Sequence, residues 1–412
     1  MTGSAGARCA VVVWVLTRVA LLLCVTKAIT LPGPDVTSDV SAIYHGWSEV
    51  LKSGTYPRED VTWQYPPLAA LAVLSPGLLP MLDYTSAFFV LVCGCDLLVL
   101  GLLLYAGRGE GRWQAGTWVW VAGVPLLGTT AYARYDVMVT AVAVAALLAG
   151  VRHPRVLGAG AAVGALLKVW PALLLAGTAR GRRTRLAWGA AAVTGAVLLA
   201  GCVLAAPGAL AFLGFQRDRG TEVESLGGLV FHVARQFGWS GRVELHYGSL
   251  EFLGPRVELV STLALGLSVL ALGWLVLWRL RAREFTVSTP ADAAFAAVLL
   301  FTTTSRVISP QYMLWLVGLA AVCLVFRGGR MVLPAVLVLV ATAVTQGEFP
   351  LGFVHVVSSD ATGVTLMFVR NGLLVAATLI ACHRLWRRTV PGAGGADASA
   401  VGTGRMAEPV GS

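Results

Sequence analysis

Residues 152–185 read RHPRVLGAGAAVGALLKVWPALLLAGTARGRRTR, and this stretch decides the topology of the chain. Its two apolar segments, residues 156–167 and 169–177, have arginines on both flanks. One continuous span would put one arginine cluster on the wrong side of a membrane, because basic residues favour the cytoplasmic side. Pro171 cannot continue a helix, so the helix should break there. The stretch therefore predicts a re-entrant hairpin with Lys168 at its tip and both ends facing the cytoplasm.

The composition of the whole chain indicates a membrane protein. Of its 412 residues, 57% are hydrophobic and 13% are charged, whereas a soluble domain usually carries about 25% charged residues. The mean hydropathy is +0.76, and apolar segments of about 20 residues recur along the chain. A cytosolic globular enzyme is therefore excluded. The expected fold is an all-α polytopic membrane protein with about 10–12 transmembrane helices.

The net charge of +10 comes from arginines that cluster between the apolar segments, as is typical of cytoplasmic loops. The clusters are Arg108 and Arg112, Arg152 and Arg155, Arg180 to Arg185, Arg279 to Arg283, Arg327 and Arg330, and Arg384 to Arg388. We therefore expect a multi-pass plasma-membrane protein that contacts membrane lipids and binds no nucleic acid. All seven cysteines lie in or beside apolar segments, so neither a disulfide framework nor a metal site is indicated.

Residues 1–390 are expected to form one transmembrane domain. Two large segments, residues 32–66 and 207–256, would lie outside the cell, and the second mixes apolar and charged residues as amphipathic interfacial helices do. Residues 391–412, rich in Gly, Ala and Ser, are expected to be a disordered cytoplasmic tail. Spans besides the hairpin are expected near residues 10–31, 84–106, 113–130, 135–150, 186–206, 257–278, 291–306, 311–326, 331–346 and 363–382, with a partly embedded helix at 67–80.

The first outer segment carries the leading candidate for chemistry. Asp39 comes shortly after the first span and is followed by Tyr44 and Trp47 at i+5 and i+8 on a predicted surface helix; Tyr65 ends the same segment. An acid beside aromatic rings could bind a sugar and remove its proton. Alternatively, Asp39 only caps the helix and the aromatic residues form an interfacial belt.

A second acid lies in the short sequence Ala133-Arg134-Tyr135-Asp136, which the predicted topology places at the same face. If Asp39 and Asp136 were close, one carboxylate would serve as the base and the other would orient or bind. A simple ion pair between Arg134 and Asp136 is the structural alternative.

Basic residues in three places suit a phosphate group, because guanidinium forks match its oxygens. Arg217 and Arg219 lie in the second outer segment with Glu224, and Arg306 precedes Gln311 and Tyr312 where one span ends and the next begins. Lys168 lies at the hairpin tip. Solvated loop charges, ordinary helix-junction residues and a lysine reaching toward headgroups are the structural alternatives.

The order of these motifs resembles glycosyltransferase family 87, whose members are GT-C-type membrane transferases that use polyprenyl-phosphate sugars. The matching residues are Asp39 with Tyr44, Gly54 to Pro57, Tyr65-Pro66-Pro67, Tyr135-Asp136, Lys168 to Pro171, Arg217 to Ser225, and Arg306 to Trp315. Family members that act on phosphatidylinositol mannosides carry a His pair after the late Ser-Pro, where this chain has Gln311-Tyr312.

The resemblance implies an inverting transfer of a hexose, with mannose as the family's typical sugar, to a lipid-linked or cell-envelope glycan at the outer face. It assigns catalysis to Asp39, with Asp136 as the second acid. Substrate binding falls to Tyr44, Tyr65, Arg134, Lys168, Arg217, Arg219, Glu224, Arg306, Gln311 and Tyr312, with no metal and no cofactor. The alternative is a transporter or flippase of lipid-linked sugars, which would need polar residues deep between its spans.

Overall fold

The computed structural model describes residues 2–217 and 219–392, and this part of the chain is mainly helical. Apolar runs form helices because, in lipid, a helix satisfies every backbone N–H and C=O within its own segment. The α-helices are α1 (Thr2–Val25), α2 (His45–Lys52), α3 (Ala69–Leu74), α4 (Tyr84–Ala106), α5 (Ala115–Leu126), α6 (Asp136–Gly150), α7 (Pro154–Leu167), α8 (Arg182–Ala205), α9 (Phe212–Arg217), α10 (Leu226–Gln236), α11 (Val257–Arg281), α12 (Thr289–Thr304), α13 (Tyr312–Cys323), α14 (Val332–Gln346), α15 (Phe353–Ser358) and α16 (Ala361–Thr389).

Short 3₁₀ or π-helical turns extend or join these helices. They are Asp39–Tyr44, Ser75–Leu78, Gly128–Ala131, Trp170–Gly177 and Gly347–Leu351. The tail that the sequence predicts to be disordered lies, from residue 393 onward, outside the described residues.

Six helices of the described chain are long and apolar enough to cross a membrane by length and composition. They are Gly6–Val25, Tyr84–Ala106, Arg182–Ala205, Val257–Arg281, Val332–Leu351 and Ala361–Thr389. Other predicted spans form shorter helices, such as α5, α6 and α13, whose rise of about 1.5 Å per residue falls short of a roughly 30 Å apolar core. The all-α polytopic class is confirmed, and fewer helices reach full spanning length than predicted.

The six basic clusters lie together at one end of the bundle. Arginine N–H groups of one cluster donate to backbone carbonyls in or beside the next, which links the clusters in a series. The links are Arg327 to Arg112, Arg384 to Arg330, Arg283 to Thr389, Arg180 to Arg279, and Arg183 to Val151. We call this the basic end.

The hairpin forms as the sequence predicts. Helix α7 ends at Leu167, Lys168 has extended backbone angles, and a 3₁₀ helix from Trp170 to Gly177 follows with Pro171 in its first turn. Because the guanidinium of Arg183 donates to the carbonyl of Val151, both flanks of the hairpin meet at the basic end. Lys168 therefore lies about 21 Å from that end, the length of α7.

Residues 207–256, which we call the insert, differ from the expected interfacial helices. Besides α9 and α10 they form three short antiparallel strands, β1 (Thr221–Glu222), β2 (Arg242–His246) and β3 (Ser249–Leu253), in the order β1-β3-β2. Phe231 of α10 and Phe252 of β3 pack in a small apolar core of their own. The expectation of helices alone was wrong because such short strands, with a charged residue in each, give no clear alternation of apolar and polar residues.

A buried ion pair joins α1 to α4 inside the bundle. The guanidinium of Arg18 contacts the carboxylate of Asp96 at 2.9 Å, and both side chains are almost fully buried. Trp14, Trp120 and Tyr132 donate further hydrogen bonds to the same carboxylate at 2.8 to 2.9 Å. A charge inside a membrane bundle requires such partners, so this pair fastens the first helix to the bundle.

Candidate active site

A cavity of about 460 Å³ lies between the insert, the hairpin, α11 and α12. This volume falls in the range of about 300 to 1,000 Å³ that small-molecule sites occupy. Predicted substrate-binding residues contribute to its polar wall: Tyr65, Lys168, Arg219, Arg306, Gln311 and Tyr312. Its apolar wall includes Leu265, Leu272 and Leu275 of α11 and Leu300 and Phe301 of α12. The cavity therefore joins a charged compartment to an apolar one.

The apolar compartment extends toward the basic end. Helix α11 starts beside the insert at Val257 and reaches the basic end at Arg281. Leu265 and Leu275 are ten positions apart, so the cavity extends about 15 Å in that direction. Most of the outer surface of α11 is exposed and apolar. The charged compartment lies at the opposite end, where α12 ends at Thr304 and the chain turns into Arg306.

Arg306 is held by oxygen atoms that carry no formal charge. Its guanidinium donates to the carbonyls of Arg219 at 2.7 Å and Gln216 at 3.2 Å, and to the hydroxyl of Ser261 at 3.3 Å. Neither Glu224 nor Asp136 pairs with it. Within the described residues no carboxylate oxygen lies within 4 Å of Arg306. Its positive charge is therefore available to an anionic ligand.

Arg219 lies beside Arg306 at the cavity wall. One guanidinium nitrogen donates to the hydroxyl of Ser249 at 2.8 Å, and Nε lies 3.8 Å from the carboxylate of Glu251. That Nε is buried and has no hydrogen-bond partner among the described residues. Arg219 therefore brings a second guanidinium group to the cavity wall beside Arg306, which suits a phosphate oxygen.

Lys168 and Asp136 form a buried pair that the sequence reasoning did not anticipate. The ammonium of Lys168 donates to both carboxylate oxygens of Asp136, at 2.8 and 2.9 Å, and the indole of Trp315 donates at 2.6 Å. The ammonium also lies 4.9 to 5.4 Å from the ring centres of Tyr65, Tyr135 and Trp315. Asp136 is fully buried and does not line the cavity, so it orients Lys168 and Trp315, which do.

Asp39 pairs with Arg134, the arginine that sequence reasoning had offered to Asp136 as a partner. The two side chains approach to 2.6 Å, and the Asp39 side chain is 31% exposed. A helical turn begins at Asp39, but its N-cap is Ser38 and no side chain caps it. The capping alternative is therefore not what the structure shows. Asp39 does not line the cavity; its carboxylate is open to solvent on the side that Arg134 leaves uncovered.

Aromatic rings connect Asp39 to the cavity. Tyr65 lines the cavity and contacts Tyr135 at 5.3 Å between ring centres, and Tyr135 contacts Tyr44 at 6.0 Å. Tyr44 follows Asp39 by little more than a turn, and its buried hydroxyl has no partner within the described part of the chain. At the other side of the polar wall, Tyr312 stacks on Trp315 at 3.9 Å. Such flat aromatic faces can pack against a sugar ring.

Four predicted binding residues do not line the cavity: Tyr44 and Arg134, which lie near Asp39, and Arg217 and Glu224. Arg217 is exposed at the end of α9 and does not line the cavity. Glu224 is buried 3.8 Å from Arg370, whose guanidinium also holds Glu348 at 2.6 Å. Burial and the charge of the nearby Glu348 raise the pKa of Glu224 well above its usual range.

Sequence reasoning missed several residues that shape the site. Glu222 accepts hydrogen bonds from the backbone N–H of Ile308 and from the hydroxyl of Ser309. Tyr247, at the turn between β2 and β3, lines the cavity with a left-handed backbone angle of φ 47°. That conformation is uncommon for a residue other than glycine and often marks a functional position. Glu222 lies within the stretch Arg217 to Ser225, whose charges the sequence also allows to be solvated loop charges, and its contact with a loop 86 residues away leaves no local signal.

The site combines two chemical capabilities. Two arginines and a lysine stand at one end of a cavity whose other end is apolar, which suits an amphiphile with an anionic head. Asp39 is an exposed carboxylate that can accept a proton, whereas every contact of Asp136 serves to fix neighbouring groups. Within the described residues no cluster of His, Cys, Asp and Glu has the arrangement of a metal site.

Comparison with known proteins identifies the family. The family model of glycosyltransferase family 87 matches residues 63–310, a region that contains Tyr65, Arg134, Asp136, Lys168, Arg219 and Arg306 and begins after Asp39. No curated protein and no solved structure matches the chain. Because the match covers more than half of the chain, the protein belongs to glycosyltransferase family 87 and is a membrane glycosyltransferase.

Proposed function

We propose that the protein transfers a hexose, mannose being the sugar its family suggests, from a polyprenyl-phosphate sugar to a lipid-linked or cell-envelope glycan. Transfer takes place at the extracytoplasmic face of the plasma membrane and inverts the anomeric centre. The acceptor oxygen bonds to the anomeric carbon as the bond from that carbon to the phosphate oxygen breaks. The phosphate leaves with the electron pair, and the acceptor proton passes to a carboxylate.

The observation that carries this proposal is the two-part cavity. Its apolar wall runs along α11 and α12 into the bundle, an environment that suits an isoprenoid chain. Its charged end contains Lys168, Arg219 and Arg306. A nucleotide sugar has no apolar chain for such a wall. The guanidinium and ammonium groups at the charged end are fixed in place. They would stabilise the negative charge that develops on the leaving phosphate without having to reorganise.

Arg306 is the leading candidate for the donor phosphate. Its guanidinium lines the cavity and is held by neutral oxygens, so a phosphate would meet an uncompensated charge. Arg219 supports it as a second guanidinium group at the cavity wall, whereas the exposed Arg217 does not line the cavity. Lys168 has its charge balanced by Asp136, which favours a role in orienting the sugar or the phosphate rather than in binding a full negative charge.

Asp39 is the proposed base. Its carboxylate is partly exposed and is held in place by Arg134, so an acceptor hydroxyl can reach it. Asp136 is buried and accepts three hydrogen bonds, which leaves it little room to accept a proton. A positioned base of this kind contributes about 10² to 10⁴ in rate. We assign orientation of the polar wall to Asp136.

The outer-face location rests on the distribution of charge. The basic clusters lie together at one end, as cytoplasmic loops do, and the charged end of the cavity lies toward the opposite end of the bundle. The transporter alternative has less support. Within the described residues, the acids that lie in or next to apolar helices are largely committed, since Asp96 binds Arg18, Asp292 binds Arg388, and Asp83 caps α4.

The donor class is tested with purified protein in lipid nanodiscs, supplied with membranes from cells that lack it as the source of acceptor. We expect label to pass from a polyprenyl-phosphate hexose into lipid or glycan, and not from a nucleotide sugar. The Arg306→Met variant should lower donor kcat/KM by roughly 30- to 1000-fold, and Arg306→Lys, which keeps the charge but loses the fork, should lower it less. Transfer from the nucleotide sugar alone would contradict the proposal.

A further inference from the structure

Hydrogen bonds tie together two chain segments that contribute to the polar wall of the cavity. One comprises Gln216, Arg217 and residues 219–222 of the insert, and the other is residues 306–309, which connect α12 to α13. Arg306 donates through its side chain to the carbonyls of Gln216 and Arg219, and its own carbonyl accepts from the backbone N–H of Glu222 at 3.1 Å. The two segments therefore hold each other.

The side chain of Glu222 also joins the two segments. Its side chain is buried in β1, with 2% of the residue exposed, and its two carboxylate oxygens accept separate hydrogen bonds. One comes from the backbone N–H of Ile308 at 2.7 Å and the other from the hydroxyl of Ser309 at 3.2 Å. A single carboxylate thus fixes both residues that follow Arg306 and Val307 in the connecting segment.

The position of Glu222 outside the cavity lining favours this anchoring role over proton transfer to substrate. Arg219 and Arg370 lie near enough to stabilise its negative charge, while Glu224 and Glu348 share the same buried region and Tyr312 lies nearby. Glu222 does not line the cavity, although Ser309 and Arg306 do. Its effect on a ligand must therefore pass through the segment that it holds.

We propose that Glu222 is a positioning residue that sets the guanidinium of Arg306 at the charged end of the cavity by fixing the backbone at Ile308 and Ser309. This inference rests on the proposed function in one respect: the anion that Arg306 receives is the phosphate of a polyprenyl carrier. Neither the family match nor the sequence motifs assign a role to Glu222.

The test is a double-mutant cycle on the binding of polyprenyl phosphate, the leaving group itself. Dissociation constants are measured by tryptophan fluorescence, since Trp170 and Trp315 line the cavity. The variants are Glu222→Ala, Arg306→Met and their combination, together with Glu222→Gln, which keeps an acceptor for Ile308 and a partner for Ser309. Glu244→Ala is the control, because Glu244 is exposed and contacts Arg242 of the same strand, β2. Folding is checked by thermal unfolding.

We expect Glu222→Ala to weaken binding about 10- to 100-fold, and Glu222→Gln and Glu244→Ala to stay within about threefold of wild type. In the Arg306→Met background, Glu222→Ala should weaken binding by less than about threefold, because the group through which Glu222 acts is gone. A residue with only a structural role would weaken binding by the same factor in both backgrounds. If Glu222→Ala does not fold, Glu222→Asp takes its place, because it keeps the charge but withdraws the carboxylate by one carbon.

Different results contradict the two proposals. A folded Glu222→Ala protein with wild-type affinity, or equal losses in both Arg306 backgrounds, would overturn the positioning role. An Arg306→Met protein with wild-type affinity would overturn it as well, because Glu222 would then have nothing to act through. A wild-type protein that binds polyprenyl phosphate and shows the expected cycle, yet transfers no sugar from its hexose conjugate, would contradict the proposed function alone.

Discussion

At the scale of single residues, the site depends on which charges pair. Sequence reasoning identified Asp39, Arg134, Asp136 and Lys168 as candidates from their types and neighbours. It considered Arg134 with Asp136, whereas the structure pairs Arg134 with Asp39 and Lys168 with Asp136. Lys168 and Asp136 are 32 residues apart and meet only because the hairpin returns its tip to the start of α6. Pairing across such a separation follows from tertiary packing and is not encoded in local spacing.

The Lys168 and Asp136 pair gives a test by stability. Lys168→Met keeps the length of the side chain but leaves the fully buried Asp136 carboxylate without its cation. Removing one partner of a buried ion pair costs about 3 to 5 kcal/mol, so we expect a clear fall in Tm measured by tryptophan fluorescence in detergent. The matched control is Lys52→Met, since Lys52 pairs with Glu49 at the exposed surface of α2 and contributes little. Equal Tm values for the two variants would show that Lys168 is not required to balance Asp136.

At the scale of elements, the sequence predicts those helices and breaks that have a clear local pattern of residues. Pro171 between two apolar runs predicts the helix break, and the structure places the 3₁₀ helix there. Long apolar runs likewise predict α4, α8 and α11. The strands of the insert were missed because β1 has two residues and β3 buries the charged Glu251. Their pairing is decided by the small core around Phe252 and by contacts to the loop after α12, which a pattern of local hydrophobicity does not contain.

The buried acids of the insert give it an unusual dependence on pH. Burial raises the pKa of Glu222 to about 7, and burial also raises the pKa of Glu224 well above its usual range. The folded state then binds more protons than the unfolded state between the ordinary pKa of a glutamate and about pH 7, so the free energy of unfolding falls as pH rises through this window. For Glu222 we expect a loss on the order of 1 kcal/mol between about pH 6 and 8. Thermal unfolding across this range should show it as a lower Tm at the higher pH.

The variants Glu222→Gln and Glu224→Gln supply the control for this pH dependence. An amide does not titrate in this range, so each variant should flatten the dependence of Tm on pH. If both variants kept the slope of the wild type, the titrating groups would lie elsewhere in the protein.

At the scale of the whole molecule, charge distribution was the most informative feature of the sequence. The arginine clusters were expected on one side, and contacts such as Arg183 to Val151 bring them to one end. Short apolar helices such as α13 are buried inside the bundle and are shorter than the six candidate spans of the described chain. The depth of the cavity between the insert and α11 was not predictable, since it depends on how the insert packs over the helix ends.

Membrane orientation is tested by cysteine labelling of intact cells with an impermeant reagent. Ser53→Cys, at the exposed end of α2, should be labelled, and Gly328→Cys, at the exposed basic end where a side chain meets open space, should be labelled only after permeabilisation. Wild type supplies the background because its native Cys9 is exposed. Labelling of Gly328→Cys in intact cells, with none of Ser53→Cys, would place the proposed site in the cytoplasm.

The central claim is that Asp39 is the base for sugar transfer from a polyprenyl phosphate. The most direct measurement is single-turnover transfer of labelled hexose from a polyprenyl-phosphate donor by wild type, Asp39→Asn and Asp35→Asn, with donor affinity determined on the same samples. Asp35 is the control because it is an exposed acid of the same segment, paired with Lys27. We predict that Asp39→Asn slows transfer by about 10² to 10⁴ while donor affinity changes little, and that Asp35→Asn has only a mild effect. Near-normal transfer by a folded Asp39→Asn protein would contradict the account, because the acceptor proton would then pass to another group.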